Sequence, residues 1–253
     1  MYKNKLKEKL YKREEMSTVC LLKGYAPLIE IAAKGGFDGV LIDAEHSALS
    51  QQECENLIRT CEAVDIVPII RTRKNEPELI LRYLDAGAMG ILVPNIRTTK
   101  DAENAVRYVK YYPLGERGLS TTRASDYGMG MPLKDYVEFA NKQTLVFVMV
   151  ENIDAVNNLE EILKVDGLDG IEIGTTDLSQ SLGFPGQPNQ PAVKEAVKKA
   201  ITIGLNSGKI VGSMLRPGES AKDYFDAGFR MLTADGLSFF KDGVKNFINA
   251  VRS

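Results

Sequence analysis

The stretch EPELILRYLDAGAMGILVPN, residues 76–95, contains the structural unit from which the fold can be predicted. It consists of an amphipathic segment, a glycine, a short aliphatic run and a polar residue where that run ends. The apolar residues of the first part follow helical spacing, and glycine is favoured just after a helix C-terminus. The unit therefore predicts a helix that ends near a glycine and leads into a strand.

The same unit recurs along the chain. Helical segments, several of which end in glycine, alternate with eight short apolar runs: TVCLL, GVLID, VPIIRT, GILVPN, TLVFVMVE, GIEIG, KIVGSML and RMLTAD. Near-continuous apolar strands are typical of a parallel sheet that is buried on both faces. We predict an α/β TIM (β/α)8 barrel that forms a single domain over residues 1–253. A doubly wound open sheet is the alternative, but LLKGYAPLIE after the first run lacks the glycine-rich turn typical of that fold.

Both ends of the chain are predicted to be helical. The segment MYKNKLKEKLYKREE has Leu6 and Leu10 in helical register, which predicts a short helix that closes the bottom of the barrel. A membrane-surface role is the alternative for this basic segment. The last helix, residues 237–251, has enough apolar surface to pack on its own barrel or on that of a neighbour. Its apolar face contains Phe240, Val244, Phe247, Ile248 and Val251.

The connection over residues 111–142 is far longer than an ordinary βα link, which joins a strand to the next helix. Its glycines and prolines predict an irregular path, and PLKDYVEFANK at its end predicts a helix. We expect an ordered loop over the active-site face or at a subunit contact; a disordered linker is the alternative.

Composition excludes several functional classes. The chain has 44% hydrophobic and 26% charged residues with a net charge of −2, so it does not resemble a nucleic-acid or anionic-membrane binder. No apolar run approaches the roughly 18 residues of a spanning helix, and the N-terminus lacks a secretory segment. Cys54 and Cys61 lie on one apolar helical stripe with Leu57 and Ile58, so buried, reduced cysteines and a cytoplasmic location are expected.

Polar residues follow the predicted strands, where the catalytic groups of a TIM barrel lie. In chain order they are Lys23, Asp43, Glu45, His46, Arg71, Arg73, Asn95, Glu151, Thr175, Thr176, Asp177, Arg216 and Asp235. Glu151 and Asp177 follow neighbouring strands, and two carboxylates aimed into one mouth repel each other unless a cation lies between them. A hard ion such as Mg²⁺ or Mn²⁺ suits this pair. Alternatively, Asp177 only caps the helix that follows.

The other polar residues suggest acid–base chemistry. His46 is the only histidine and the best general base in the chain, with Asp43 or Glu45 able to orient it; a purely structural histidine is the alternative. Arg71 is placed to stabilise negative charge that develops on oxygen. The segment GTTDLSQS resembles an anion cradle made from backbone N–H groups at a helix start.

Several motifs together resemble the HpcH/HpaI family of metal-dependent (class II) pyruvate aldolases over nearly the whole chain. They are GGFDGVLIDAEH, PIIRT, YLDAGAMGILVPNI, YYPLGERGLSTTRASDYG, VMVEN, VDGLDGIEIGTTDLSQSLG and TADGLSFFKDG. The resemblance implies a TIM barrel whose final helix is exchanged between subunits of a hexamer built from dimers. It also implies a place in the catabolism of aromatic compounds or sugar acids.

The resemblance assigns roles to individual residues. Glu151 and Asp177 correspond to the ligands of a divalent cation (Mg²⁺, Mn²⁺ or Co²⁺), and His46 to the catalytic base, which acts through a metal-bound water. Arg71 corresponds to the arginine that stabilises the enolate, and the backbone around Thr176 and Asp177 to the site of the pyruvate carboxylate. Asp85 matches the acid that raises the basicity of the histidine.

The match of Asp85 leaves a topological question open. Asp85 precedes a strand, on the barrel face opposite His46, so it would have to reach a histidine of another subunit. Asp43 is the alternative partner within one chain.

The chain departs from the family pattern at the substrate contacts. Met149 stands where many relatives have a glutamine that touches substrate. Gly174, Thr175, Thr176 and Asp177 stand where many have Gly-Pro-Ala-Asp. These changes leave the predicted metal ligands and base intact and put the identity of the substrate in doubt.

The expected reaction is the reversible cleavage of a 4-hydroxy-2-oxoacid to pyruvate and an aldehyde. Three alternatives remain at this point: oxaloacetate decarboxylation or other enolpyruvate chemistry on the same site, a Schiff-base aldolase that uses Lys23, and a silent carboxylate-binding barrel.

Overall fold

The structure is a computed structural model that describes residues 2–216 and 218–252. In these residues eight parallel strands pair in chain order, and β1 pairs with β8 to close a barrel. The strands are β1 (Ser17–Leu22), β2 (Gly39–Asp43), β3 (Val67–Arg71), β4 (Gly90–Val93), β5 (Leu145–Val150), β6 (Gly170–Ile173), β7 (Ile210–Met214) and β8 (Met231–Asp235). The predicted TIM barrel is confirmed, and the open sheet is excluded.

Helices surround the barrel. In chain order they are α1 (Lys5–Lys12), α2 (Ala26–Lys34), α3 (Gln51–Ala63), α4 (Pro77–Asp85), α5 (Thr99–Val109), α6 (Leu133–Gln143), α7 (Ile153–Asn157), α8 (Leu159–Ile162), α9 (Thr175–Ser181), α10 (Pro191–Asn206), α11 (Ala221–Ala227) and α12 (Gly236–Arg252). Their starts follow local sequence signals: α3 begins with a capping box formed by Ser50 and Glu53. Thr98 and Asp101 form a second capping box at the start of α5.

The two-residue period of the strands divides the core into two layers. In β2, Val40 and Ile42 point outward into the layer shared with the helices, whereas Leu41 points into the barrel lumen. The lumen is filled mainly by apolar side chains of other strands: Val19, Leu21, Val67, Ile69, Leu92, Leu145, Phe147, Met149, Ile210 and Met231. The lumen is thus a packed core whose upper end forms the floor of any site at the strand ends.

Helix α1 closes the amino end of the barrel, as predicted. Leu6 and Leu10 are buried in the lumen cluster. Gly39 makes this approach possible, because a Cβ atom there would lie 2.9 Å from Cδ2 of Leu6. The predicted burial of Cys54 and Cys61 on α3 is also confirmed, and both thiols are free.

The long connection over residues 111–142 is ordered, but it lies at the amino end of the barrel. It includes a 3₁₀ helix, Arg123–Gly128, and leads through α6 into β5. Nη1 of Arg123 donates to the carbonyl of Ala86, at the end of α4, at 2.9 Å. The expectation that this segment covers the active-site face is therefore wrong, because a helix-to-strand connection runs at the opposite end. A role at a subunit contact stays a prediction.

Helix α12 leaves its apolar face uncovered in the described part of the chain. None of its 17 residues is buried, although Phe239 lies 6.4 Å from Phe37 between ring centroids. The large apolar side chains it exposes are Leu237, Phe239, Phe240, Val244, Phe247, Ile248 and Val251. Packing of this face on its own barrel is not observed, and exchange with a neighbouring subunit stays a prediction. Among the described residues, no helix is both long and apolar enough to cross a membrane.

Candidate active site

An aspartate–arginine pair fixes the geometry of the barrel mouth. Asp43 ends β2 and Arg71 ends β3, and the two residues are register partners. Nε and Nη2 of Arg71 donate to the two carboxylate oxygens of Asp43 at 2.9 and 2.8 Å. Oδ1 of Asp43 also accepts the backbone N–H groups of Glu45 and His46, at 3.2 and 3.1 Å. One carboxylate therefore orients both the arginine and the loop that contains the histidine.

The pair remains ionised despite its burial. Burial alone would raise the pKa of Asp43, but the hydrogen bonds and charge of Arg71 outweigh it and hold that pKa below its usual value. For Arg71, burial would lower the pKa, whereas Asp43 and Glu45 raise it above its usual value. The Asp43 side chain is 0% exposed and that of Arg71 is 12% exposed, so the arginine cannot swing freely.

His46 lies at the outer edge of the site. Its side chain is 56% exposed, and its Nε2 lies 3.7 Å from Oε2 of Glu45. Asp43 contacts the backbone of His46, so Glu45 is the acid beside the imidazole within one chain. Burial raises the pKa of Glu45; Arg71 opposes this shift, and the charges of Asp43 and Asp177 add to it.

Glu151 is held by the backbone of a neighbouring loop. It follows β5, is buried, and its Oε1 accepts the backbone N–H of Asn95 at 2.6 Å. Asn95 has a φ of 56°, a left-handed conformation that asparagine tolerates better than most residues. Burial raises the pKa of Glu151, the Asn95 N–H opposes the shift, and Glu45 and Asp177 reinforce it.

The oxygen donors at this mouth fit a hard divalent cation. The carboxylates of Glu45, Glu151 and Asp177 lie close enough for the charge of one to raise the pKa of another. Residues 2–216 and 218–252 contain no group of three or more His, Cys, Asp or Glu side chains placed to hold a metal ion. Glu151 and Asp177 would thus supply only part of a coordination shell and leave positions for water and substrate.

A pocket of about 560 Å³ opens beside these groups. Its lining includes all the residues predicted to bind substrate: Arg71, Met149, Gly174, Thr175, Thr176 and Asp177. His46 and Glu151 border the pocket without lining it. Gly174 is required for close packing, because a Cβ atom there would lie 2.9 Å from both Cβ of Glu151 and Cε of Met149.

Hydroxyl groups organise the start of α9 and the pocket rim. Oγ1 of Thr175 accepts a hydrogen bond from Arg216, and the carbonyl of Thr176 accepts one from Ser179 at 2.6 Å. Lys23 lies at the opposite side of the mouth, where its Nζ is 3.8 Å from Oδ2 of Asp43.

Within one chain, Asp85 lies away from the residues at the barrel mouth. It ends α4, and its Oδ1 accepts a hydrogen bond from Nη2 of Arg117 at 2.8 Å. Because α4 leads into the amino end of β4, Asp85 and His46 lie at opposite ends of the barrel. Of the three acids considered for His46, Glu45 is the one beside the imidazole within one chain, and neither Asp85 nor Asp43 contacts it.

Two residues of the site had no role assigned from the sequence: Asn95, which was named only as a polar residue after a strand, and Glu172, which was not named. Asn95 contributes its backbone N–H, and the only signal was an asparagine directly after a strand. Glu172 is the single charged residue in GIEIG, and its position between two outward-pointing isoleucines places it in the lumen. It is 4% exposed, lines the pocket, and its pKa is raised by burial.

A closed barrel with a polar pocket at the carboxyl ends of its strands is the architecture of a (β/α)8-barrel enzyme. The HpcH/HpaI aldolase/citrate lyase family matches residues 18–240. The chain belongs to this family and is an enzyme of the lyase class.

Individual relatives agree with this assignment. The chain is 36% identical over 201 residues to 4-hydroxy-2-oxo-heptane-1,7-dioate aldolase of Escherichia coli, which covers 79% of this chain and 76% of the relative. The structure resembles an HpcH/HpaI aldolase/citrate lyase family protein from Burkholderia cenocepacia J2315, with a TM-score of 0.91 at 32% identity and coverage of 99% and 100%. It also resembles the citrate synthase SbnG, with a TM-score of 0.88 at 29% identity and coverage of 98% and 97%.

Proposed function

We propose that the enzyme reversibly cleaves a 4-hydroxy-2-oxoacid to pyruvate, or a close analogue of pyruvate, and an aldehyde. The observation that carries the proposal is Arg71, which Asp43 fixes through two nitrogens at a mouth where Glu151 is buried near the carboxylates of Glu45 and Asp177. The identity to an aldolase of a 4-hydroxy-2-oxoacid supports the substrate class.

We further propose that Glu151 and Asp177 hold a divalent cation, Mg²⁺, Mn²⁺ or Co²⁺. When bound, such a cation supplies positive charge next to the keto and carboxylate oxygens of the 2-oxoacid. The backbone N–H groups of Thr176 and Asp177 are the predicted contacts of the substrate carboxylate.

Residues of the chain can remove the proton of the 4-hydroxyl group and stabilise the negative charge that develops on oxygen. Cleavage removes the proton of the 4-hydroxyl group, forms the aldehyde carbonyl and moves the electron pair of the C3–C4 bond toward the 2-keto group. His46, exposed at the mouth beside Glu45, is the group available to take that proton through water. Nη1 of Arg71 is the nitrogen that Asp43 leaves uncovered; it lies 3.9 Å from Sδ of Met149 and is the donor available to oxygen that becomes negative in the transition state.

Decarboxylation of oxaloacetate, or another enolpyruvate reaction, is the second candidate. It uses the same charge stabilisation but needs no base for a 4-hydroxyl group. The similarity to a citrate synthase over nearly the whole chain supports an enolpyruvate reaction as a second candidate. Parallel assays of oxaloacetate and of 4-hydroxy-2-oxoacids distinguish the two candidates, because only the aldolase releases an aldehyde.

The first test is exchange of the pyruvate methyl protons in D₂O, followed by NMR with Mg²⁺, after EDTA treatment, and with Glu151→Gln. We expect exchange that requires the cation and falls at least 100-fold in the variant. Absence of exchange, together with absence of aldehyde release from hydroxy-oxoacids, would favour the decarboxylase or a silent carboxylate-binding barrel. Trapping of pyruvate on the protein by borohydride would instead indicate a Schiff base at Lys23.

We also propose that α12 packs on a neighbouring copy in a homo-oligomer, a hexamer by family resemblance. Its seven exposed apolar side chains support this, because they form a continuous uncovered surface. Phe247→Asp is expected to dissociate the assembly in sedimentation experiments, and the exposed Glu30→Leu on α2 is the control. An unchanged sedimentation coefficient for Phe247→Asp would contradict the proposal.

A further inference from the structure

Two buried polar groups at the pocket floor have no hydrogen-bond partner. Oε2 of Glu172 and Oγ1 of Thr233 are both unpaired, and both residues line the pocket. Glu172 is 4% exposed and Thr233 is 1% exposed. The Thr233 hydroxyl lies close enough to lower the pKa of Glu172 as a hydrogen-bond donor does, but the pair falls outside strict hydrogen-bond geometry, and no other partner reaches Glu172 Oε2 or Thr233 Oγ1.

The barrel itself leaves these groups unpaired. Gly212, on the strand between them, is the register partner of Glu172 and has no side chain to offer. A Cβ atom at Gly212 would lie 2.7 Å from Cε of Met231, so a side chain there would require that methionine to move. The small cavity below Glu172 is lined otherwise by apolar side chains: Val19, Leu41, Ile69, Leu92, Phe147 and Met231.

The nearest cationic side chain is also committed elsewhere. Two nitrogens of Arg71 bind Asp43, and Nη1 lies 3.9 Å from Sδ of Met149. Arg71 therefore acts on Glu172 through its charge and does not form a hydrogen bond with it. A buried carboxyl and a buried hydroxyl without partners destabilise a fold, and an apolar side chain at either position would avoid that loss. Both residues line the pocket, so a bound molecule can supply the missing partner from that side.

We propose that Glu172 and Thr233 form a specificity subsite for a hydroxyl group on the 2-oxoacid. A hydroxyl can donate to the Glu172 carboxyl and accept from Thr233, whereas a methyl group satisfies neither. In a three-carbon 2-oxoacid, the carboxylate and keto oxygens are used at the cation site, so carbon 3 is the only position for that hydroxyl. The substrate class is thus a 3-hydroxylated 2-oxoacid in preference to pyruvate.

This inference rests on the proposed function, so the experiment must separate the two. Exchange of the carbon-3 protons of hydroxypyruvate and of pyruvate is measured by NMR in D₂O with Mg²⁺, and exchange without enzyme is subtracted. The wild type is compared with Glu172→Leu, Glu172→Gln and Thr233→Val. Glu30→Leu removes an exposed carboxylate on α2 and serves as the matched control. Circular dichroism establishes that each variant is folded.

We expect the wild type to favour hydroxypyruvate at least tenfold in apparent kcat/KM, a difference of about 1.4 kcal/mol. Glu172→Leu should remove that preference, and Glu172→Gln and Thr233→Val should reduce it, because each retains one hydrogen-bonding group. If Glu172→Leu exchanges both compounds in the wild-type ratio, the subsite is wrong and the proposed function stands.

If the wild-type enzyme exchanges the carbon-3 protons of neither compound, the result would instead count against the proposed function. Calorimetric titration of each compound in the presence of Mg²⁺ then tests the subsite independently. A tenfold tighter Kd for hydroxypyruvate that Glu172→Leu abolishes supports the subsite, and equal Kd values overturn it.

Discussion

Among the described residues, two aspartate–arginine pairs, each with one nearly fully buried member, lie at opposite ends of the barrel. Asp43 and Arg71 meet at the carboxyl ends of the strands, and Asp85 and Arg117 meet at the amino ends, each with an N–O distance of 2.8 Å. The Arg117 side chain is only 1% exposed, and its guanidinium lies 4.5 Å from the ring centroid of Tyr111. Arg71 keeps one nitrogen at the pocket.

The difference between the pairs lies in their surroundings. Arg117 uses its charge to join α4 to the long connection before α6, and it packs on an aromatic ring. Arg71 is held as firmly but faces other carboxylates and open space. We therefore propose that the same two residue types serve stability at one end and charge stabilisation at the other, according to what the free side of the arginine meets.

The largest expected effect comes from Arg71→Lys. Lysine retains the charge but cannot bind both oxygens of Asp43 and still present a nitrogen to the substrate. We expect a loss of roughly 10²–10³-fold in kcat/KM, the range for removal of an oxyanion donor. Arg117→Lys is the matched control, and kcat/KM per folded molecule should change less than about threefold. Similar losses in the two variants would abolish the functional distinction between the pairs.

Asp85→Ala addresses the amino-end pair and should act on stability. Removal of one partner of a buried ion pair leaves Arg117 uncompensated and destabilises by about 3 kcal/mol. Chemical denaturation measures this loss, and the pH dependence of kcat/KM should remain that of the wild type. A shift of that pH profile would show instead that Asp85 acts on a histidine of another subunit, as the family resemblance implies.

Glu172 extends the comparison of the two aspartate–arginine pairs, because it is a buried carboxyl to which no arginine donates a hydrogen bond. Its folded-state pKa is raised above the ordinary value of 4.5 by burial, so the folded state binds its proton more tightly than the unfolded chain. Its contribution to stability is present below about pH 4.5 and is lost as pH rises through the folded pKa. EDTA-treated Glu172→Gln should therefore be more stable than wild type at pH 8 by about 1 kcal/mol. The gain should shrink toward pH 4, and a pH-independent difference in urea denaturation would contradict this.

Met149→Gln is expected to have the smallest effect. The sulfur lies 3.9 Å from Nη1 of Arg71, and an amide at this position could hydrogen-bond either the arginine or the substrate. We expect about a threefold change in KM for the 2-oxoacid with little change in kcat, because substrate and transition state share this contact. A change confined to kcat would indicate that Met149 influences the charge stabilisation by Arg71.

Alternation of helical segments with eight nearly continuous apolar runs was sufficient to predict the barrel, because most strand residues are buried on both faces. All eight predicted runs form strands, and the leucines of α1 close the lumen as expected. The long connection was misplaced because its glycines and prolines indicate irregularity but not the barrel end at which it lies. Knowing that it links a helix to the next strand would have been enough to place it at the amino end.

The site was predicted in outline but not in its internal contacts. Sequence brought Asp43, Arg71, Glu151 and Asp177 to one mouth, because strand ends in a parallel barrel converge there. It could not show that Asp43 binds Arg71 and not the imidazole, since side-chain direction at a strand end depends on local packing. Glu172 was overlooked because charged residues are unusual inside a lumen, and only its position in the two-residue alternation marked it.

The backbone hydrogen bond from Asn95 to Glu151 has a consequence for mutational tolerance. Because the donor is a main-chain N–H, no substitution except proline can delete it, and tolerance of the other residues at position 95 depends on whether each accepts a φ of 56°. Glycine and aspartate adopt such angles readily, whereas valine and isoleucine do not. In a library with all twenty amino acids at position 95, the tolerated residues should therefore be those that accept this backbone conformation, and their polarity and size should matter little.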